Sequence, residues 1–243
     1  MSEIIITDEL KDCVKSCYST LHPTLVEKTL SGCDCCAPNY ELVDMGEAGI
    51  WAKYPIGVSE WNSDWENQIK YFAWGETEGY TKSQLGVDKE FDWSDYKWCE
   101  GGEDKLTKYC GNTSDGITDY LSVLLPEDDA CTVNMGGNWR MPTTEEFQKL
   151  DSLCNNEWVT NYNGVSELNG RLFKLKTDES KQLFFPVNGK TGLISKQFWS
   201  SSLNISTPRW AFYLDINTST VDASIYYNRC RGYSVIGILD SGQ

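Results

Sequence analysis

The spacing of apolar positions changes several times along this chain. Over residues 7–21, TDELKDCVKSCYSTL sets Leu10, Cys13, Val14, Cys17, Tyr18 and Leu21 on one stripe at helical spacing. A helix this short is marginal alone and calls for a docking surface: its own domain, further copies of the chain, or a larger assembly. Residues 31–39, rich in Gly, Cys and Pro, read as a linker or tight loop. This divides the chain into a short helical docking segment, 1–38, and a domain, 39–243. The domain opens on YELVDMGEAGIWAKYPIG, two short strands around a glycine turn. WNSDWENQIKYFAWGE then places Trp61, Trp65, Ile69 and Phe72 at helix-like intervals. Residues 79–135 are polar and punctuated by EGG, GNTSDG and LPEDDA, which reads as ordered loops with short elements.

From Pro142 the pattern sharpens. Thr143 and Glu146 form a T-x-x-E capping box with acids in the first turn, and Phe147, Leu150 and Leu153 supply the apolar stripe of a helix. RLFKLKT and QLFFPV, separated by DESK, predict a hairpin. QFWSSSLN, RWAFYLDI, ASIYYN and GYSVIGIL predict four more strands. There is no fixed-period repeat and no low-complexity tract. The predicted class is α+β, with one clear helix and an antiparallel, strand-dense final third.

Composition adjusts this picture in three places. Aromatic residues are abundant, with 10 Trp, 13 Tyr and 8 Phe, more than a core of this size absorbs, which favours a sheet-rich fold or an aromatic-lined face. The net charge of −15 argues against nucleic acid and anionic membranes as partners, and fits a soluble surface better than it demands a cationic partner. No apolar run approaches the ~20 residues that span a bilayer, and the start, MSEIIITDELKDC, lacks the basic lead of a secretory signal. Five of the 10 cysteines fall within the first 36 residues. Cys13, Cys17, Cys33, Cys35 and Cys36, with His22 between them, are weak candidates for a metal site, because their spacing matches no ribbon or finger. Incidental or buried reduced thiols are the stronger reading.

Catalytic chemistry finds little support. No dinucleotide fingerprint, phosphate loop, nucleophile elbow or zinc-protease helix occurs, and His22 is the only histidine. Glu127-Asp128-Asp129, Asp92 with Asp95, and Glu103-Asp104 are acids without the placement that glycoside hydrolysis needs. PEDDA lacks the spacing of a calcium loop, so a solvated surface outweighs an ion site there. The strongest positive signal is residues 199–231, WSSSLNISTPRWAFYLDINTSTVDASIYYNRCR. Small polar and Tyr positions alternate there with apolar ones such as Leu203, Ala211, Tyr213 or Leu214, Ile216 and Val221. Adaptable binding faces use these residue types, since Tyr brings area at low entropy cost and Ser, Asn and Thr bring hydrogen bonds. A plain antiparallel sheet with a hydrated face uses them too. Composition alone supports both equally.

Three blocks carry a family resemblance: YFAWGE (71–76), PEDDACTVNMGGNWRMPTTEEFQKL (126–150), and WSSSL, AFYLDI and RCRGYSVIGI within 199–238. With VDMGEAGIWAKYPIG, they make residues 40–239 similar to the FISUMP-like major paralogous domain. This is a C-type-lectin-fold group related to formylglycine-generating enzymes and common in gut bacteria and their phages. The resemblance implies a C-type-lectin-like fold of the formylglycine-generating-enzyme subtype, with meeting chain ends and late strands that present a ligand surface. Variable proteins of diversity-generating retroelements belong here, and their C-terminal strands vary at adenine-containing codons. By that resemblance the candidate face comprises Asn204, Ser206, Arg209, Trp210, Asp215, Asn217, Ser219, Asp222, Ser224, Tyr226, Tyr227 and Asn228. Trp199 and Gly232 would frame it. Trp139, Arg140, Met141, Pro142 and Thr143 would form a structural corner, with Trp139 and Met141 in the core and Arg140 bonded to nearby carbonyls or to Asp128 or Asp129. Two departures stand out. The chain ends its last strand SVIGI where the family usually reads SVRPV, and its final third holds only Cys230, so the related enzymes' cysteine-pair and copper chemistry is not implied. The expectation is a non-enzymatic binding protein without a cofactor. It would be carried on a phage virion, bind a bacterial cell-surface protein or glycan, and form a homo-oligomer, with a trimer as the mild preference. Alternatives are a structural virion protein docked to other virion proteins through residues 1–38, a location in the bacterial envelope or cytoplasm, and, as a minor one, a formylglycine-generating-type enzyme.

Overall fold

Strand pairing between distant parts of the chain organises the computed structural model, which describes residues 40–187 and 196–240. The docking segment and the five N-terminal cysteines lie outside the described residues. In chain order the elements are β1 (Leu42–Asp44), β2 (Ile50–Ala52), α1 (Trp65–Gln68), β3 (Tyr71–Phe72), α2 (Ala130–Met135), β4 (Trp139–Arg140), α3 (Thr144–Leu153), β5 (Cys154–Val159), β6 (Asn169–Leu175), β7 (Asp178–Val187), β8 (Gln197–Leu203), β9 (Trp210–Ile216), β10 (Val221–Asn228), β11 (Tyr233–Ser234) and β12 (Ile238–Leu239). The class is α+β, mostly sheet with few helices. Three sheets run β1-β2-β12-β4, β10-β9-β8-β11-β3 and β5-β6-β7. Every pairing among these strands is antiparallel except β8 with β11.

Where local signals were strong, they held. α3 begins at its capping box: Thr143 Oγ1 accepts from the Glu146 backbone N–H at 3.2 Å, and Glu146 Oε2 accepts from the Thr143 N–H at 2.8 Å. Its stripe buries Phe147 and Leu150. Phe147 leans on Phe185 of β7 at 6.3 Å between ring centroids. Phe185 also meets Trp51 of β2 at 6.4 Å, Phe173 of β6 at 5.3 Å and Phe198 of β8 at 5.1 Å. One ring therefore joins all three sheets to the helix, and losing such a side chain costs about 3–5 kcal/mol.

Three expected elements differ. The helix-like run after Trp61 yields only the single turn α1, because Lys70 N–H bonds Ile56 O at 3.0 Å and Tyr71 pairs with Tyr80, drawing the chain into sheet. In the β6–β7 hairpin DESK is not the turn. β7 starts at Asp178, opposite Leu175, and an irregularity brings Gln182 opposite Lys174. GYSVIGIL is not one strand either: β11 pairs with β3 and β8, while β12 pairs with β2 and β4 in another sheet. The crossing buries Val235 and Ile236 and brings Gly237 so close to α2 that a Cβ would lie 2.8 Å from Met135 Sδ.

The long polar region 79–135 is held by side chains that reach backbone groups. Asp119 accepts from the N–H groups of Tyr109, Cys110 and Leu121 at 2.7–3.1 Å. Arg229, just past β10 and fully buried, donates to Tyr109 O at 2.9 Å and Lys108 O at 2.6 Å and reaches Trp98 O at 3.5 Å. Its guanidinium also lies 5.8 Å from the Trp74 ring and 5.4 Å from the Tyr96 ring. Of the three acids in PEDDA only Glu127 is solvated surface; Asp128 and Asp129 are buried. Lys108 and the Tyr109 hydroxyl both bond Asp128 Oδ2, the latter at 2.6 Å. Burial, reinforced by Asp128, in turn pushes the Tyr109 hydroxyl pKa up.

Candidate ligand-binding face

β8, β9 and β10 lie side by side with β9 in the middle, and their register decides what they can present. Tyr226 sits opposite Phe212, Tyr227 opposite Ala211, Asn228 opposite Trp210 and Asp222 opposite Asp215. Neighbouring strand residues point to opposite faces, so Tyr226 and Tyr227 cannot share a surface. The twelve candidate residues thus fall on two faces rather than on the single face that the resemblance implies. All twelve are half-buried or exposed.

On one face Trp210 and Tyr226 stack with centroids 5.1 Å apart and planes at 20°, and Phe212 meets Tyr226 edge-on at 5.5 Å. Trp210 Nε1–H donates to Asn228 Oδ1 at 2.9 Å, which fixes the indole. Arg209 lies 5.7 Å from the Trp210 ring and pairs with Glu103 at 3.3 Å. Tyr226 is 43% exposed, so the stack has a free edge. Further along the same face Leu214 and Ile216 run into the core.

The other face holds Trp199, Tyr213 and Tyr233. Their ring centroids are 4.2 Å apart for Trp199 and Tyr233, 4.9 Å for Tyr213 and Tyr233, and 5.9 Å for Trp199 and Tyr213. Asp215 accepts from Gln197 Nε2 at 2.9 Å and lies 3.6 Å from Lys196 Nζ. Burial, with Asp215, Tyr227 and Asp222 nearby, pushes the Tyr213 pKa up to about 12, so this hydroxyl keeps its proton and can donate. Tyr227 is 46% exposed at this cluster's side of the sheet.

Several other candidates hold turns or, for Asp222, the irregularity within β10. Asn204 Oδ1 accepts from the N–H groups of Ser206 and Thr207 at 3.1 and 3.2 Å. Asn217 Oδ1 accepts from Ser219 and Thr220 N–H at 2.9 and 2.8 Å and from Ser219 Oγ–H at 3.0 Å. Asp222 Oδ1 accepts from Ser224 N–H at 2.7 Å and Oγ–H at 2.6 Å. These are local side-chain-to-backbone bonds of Asn and Asp, and they fix the two loops and the β10 irregularity before any ligand arrives. The residues missed from sequence are Phe212 and Tyr233, which complete the two aromatic clusters, and Glu103, which nothing near β9 announces.

The framing residues behave as structure. Trp199 is fully buried and its Nε1–H donates to Phe72 O at 2.8 Å. Pro142 O accepts from Ser201 N–H at 2.8 Å, tying the corner to β8. Met141 is buried, but Trp139 is half-buried and packs edge-on against Tyr40 at 6.2 Å. Arg140 bonds neither Asp128 nor Asp129. It donates to Met141 O at 3.2 Å and sends a bidentate fork to Glu146 at 2.8 and 2.7 Å, the acid that α3 offers in its first turn. Asp129 instead caps α2, accepting from Thr132 N–H at 2.9 Å and from Met141 N–H at 3.1 and 2.9 Å. Burial holds its carboxyl above the usual range despite these bonds. Beside it the corner opens into a cleft of about 360 Å3, lined among others by Val123, Asp129, Trp139, Arg140, Ser201 and Asp240.

Among the described residues no group of three or more His, Cys, Asp or Glu could hold a metal ion, and Cys99, Cys110, Cys131, Cys154 and Cys230 are free thiols. No described helix is long and apolar enough to cross a membrane. Comparison of the chain with protein-family models, curated proteins and solved structures gives no match.

Proposed function

We propose that residues 40–239 form a C-type-lectin-like domain of the FISUMP-like kind. In this reading it is a non-enzymatic binding module of a phage particle that uses β9, β10 and the 204–209 loop to hold a protein or glycan on a bacterial surface. The stacked Trp210–Tyr226 pair, locked by Asn228 and flanked by Arg209, carries the reading. Rigid aromatic anchors with a free edge and adjacent hydrogen-bonding groups are what binding hot spots use. The lectin-like assignment is supported by the first and last strands of the described domain sharing one sheet, where Ile238 pairs with Trp51. Burial of the Trp199-Ser200-Ser201 block and the capped helix after the WRMPT corner support it too.

The register divides the candidate face, so the function concentrates on the Trp210 side. In a cell-binding assay, the Trp210→Ala, Tyr226→Ala double variant should bind bacterial cells at least about 30-fold more weakly, as expected for loss of ~2 kcal/mol or more. Tyr227→Ala should bind nearly as well as the unaltered protein. Equal binding by the double variant would sink the proposal, and a larger effect at Tyr227 would move the site to the opposite face.

A further inference from the structure

The corner cleft has a composition that the strand faces lack. Asp129 stands in its wall as a carboxylate whose hydrogen bonds come from the start of α2, at Cys131 and Thr132, and from the Met141 N–H, none from a cation. Arg140, whose charge reaches Asp129, gives its fork to Glu146. Of the two Asp129 oxygens, Oδ1 accepts from the Thr132 N–H at 2.9 Å, and the Met141 N–H lies 3.1 Å from Oδ1 and 2.9 Å from Oδ2. Trp139 lends an indole to the same wall, and Val123, Leu124, Pro126 and Met141 supply apolar lining. Asp240, with its side chain 60% exposed and Oδ1 3.7 Å from Arg140 Nε, adds a second acid to the lining. A volume of about 360 Å3 falls within the range of small-ligand sites, roughly 300–1,000 Å3.

We infer that this cleft is a second binding site, separate from the β9–β10 face, for a primary alkylammonium group of lysine side-chain size. The ammonium meets Asp129 Oδ2 and the Trp139 ring, which attracts cations through its face. The alkyl stem lies along Val123, Leu124 and Pro126. Asp240 and the net charge of −15 favour approach of a cation and disfavour an anion. A buried carboxylate with no cation hydrogen-bonded to it is costly, and a bound ammonium lowers that cost while occupying the cleft.

The test is a nitrogen-15 NMR titration of the full chain with n-butylammonium chloride, with n-butanol and sodium chloride as controls. The Trp139 indole, assigned with Trp139→Phe, and the Thr132 and Met141 amides should shift saturably with the ammonium alone. Asp240→Asn should weaken binding about threefold, the effect of an exposed charge. Asp129→Asn should abolish it. Because Asp129 also caps α2, Val123→Trp serves as the second variant: it crowds the cleft from an exposed position and should also abolish binding. Equal shifts with n-butanol, unchanged binding in Val123→Trp, or no saturable shift in the unaltered protein would each overturn the assignment.

Discussion

Loss of Arg229 should cost the domain several kcal/mol, though the side chain is not part of its apolar core. It is a buried cation whose partners are carbonyl oxygens rather than carboxylates, and its Nε has no partner at all. Taking a guanidinium out of water costs several kcal/mol, so its bonds must exceed that cost for Arg229 to stabilise the fold. Hydrogen bonds to a charged group contribute about 1.5–3 kcal/mol each, and two are well formed, to Lys108 O and Tyr109 O. In Arg229→Met those carbonyls would stay dry at about 1–3 kcal/mol apiece, and the contacts with the Trp74 and Tyr96 rings would also be lost. The net expectation is a loss of about 3–5 kcal/mol, as when one partner of a buried charged network is removed. For a domain of this size that is a fall in Tm of roughly 6–20 °C. Arg229→Lys, which keeps the charge and some donors but loses the fork, should fall between. Urea unfolding and calorimetry of the three proteins read this directly. If Arg229→Met unfolds at or above the midpoint of the unaltered protein, the desolvation cost outweighs the carbonyl bonds and the argument fails.

Gly232→Ala should cost about 1–3 kcal/mol of unfolding free energy by urea titration, because its Cβ would lie 2.3 Å from the ring of Phe91, itself buried at φ +54. Thr143→Ala should cost about 1 kcal/mol by removing the cap of α3. Arg140→Ala should cost about as much near neutral pH but progressively less in acid. Burial pushes the Glu146 pKa up, yet the Arg140 fork and the Thr143 N–H outweigh it, so the folded value lies below the unfolded one. The pair's contribution is therefore present above the unfolded carboxyl pKa of about 4.3 and is lost as pH falls through the folded value. Unfolding curves of Arg140→Ala and the unaltered protein should converge in that window, and a constant gap would remove Glu146 from the account.

Features set within a few residues were legible in the sequence. The capping box at Thr143 and Glu146, the stripe of Phe147 and Leu150, and β8, β9 and β10 all follow from spacings shorter than one helical turn or one pleat. Neither the bond from the Trp199 indole N–H to Phe72 O nor that from Ser201 N–H to Pro142 O could be read from spacing. Composition could nominate Asn204, Asn217 and Asp222 as polar surface, but it could not show their oxygens bonded to groups two or three residues on. Opposite directions for Tyr226 and Tyr227 are implicit in any strand, and only the pairing with Phe212 and Ala211 showed which faces they meet.

The rest was decided by pairs far apart in the chain. Arg229 finds Lys108 and Tyr109 about 120 residues upstream, Trp74 Nε1–H donates to Ser200 O, and Arg209 meets Glu103. Asp128 and Asp129 look like solvent-facing acids in a polar run until Lys108, Tyr109 and Met141 close over them. GYSVIGIL reads as one strand until two sheets each claim an end. Spacing and capping act over three or four residues, so the sequence determined the elements and their amphipathic sides. Burial of a charge, choice of an ion-pair partner and division of a strand between sheets depend on which distant surfaces meet, and only the tertiary structure decided those.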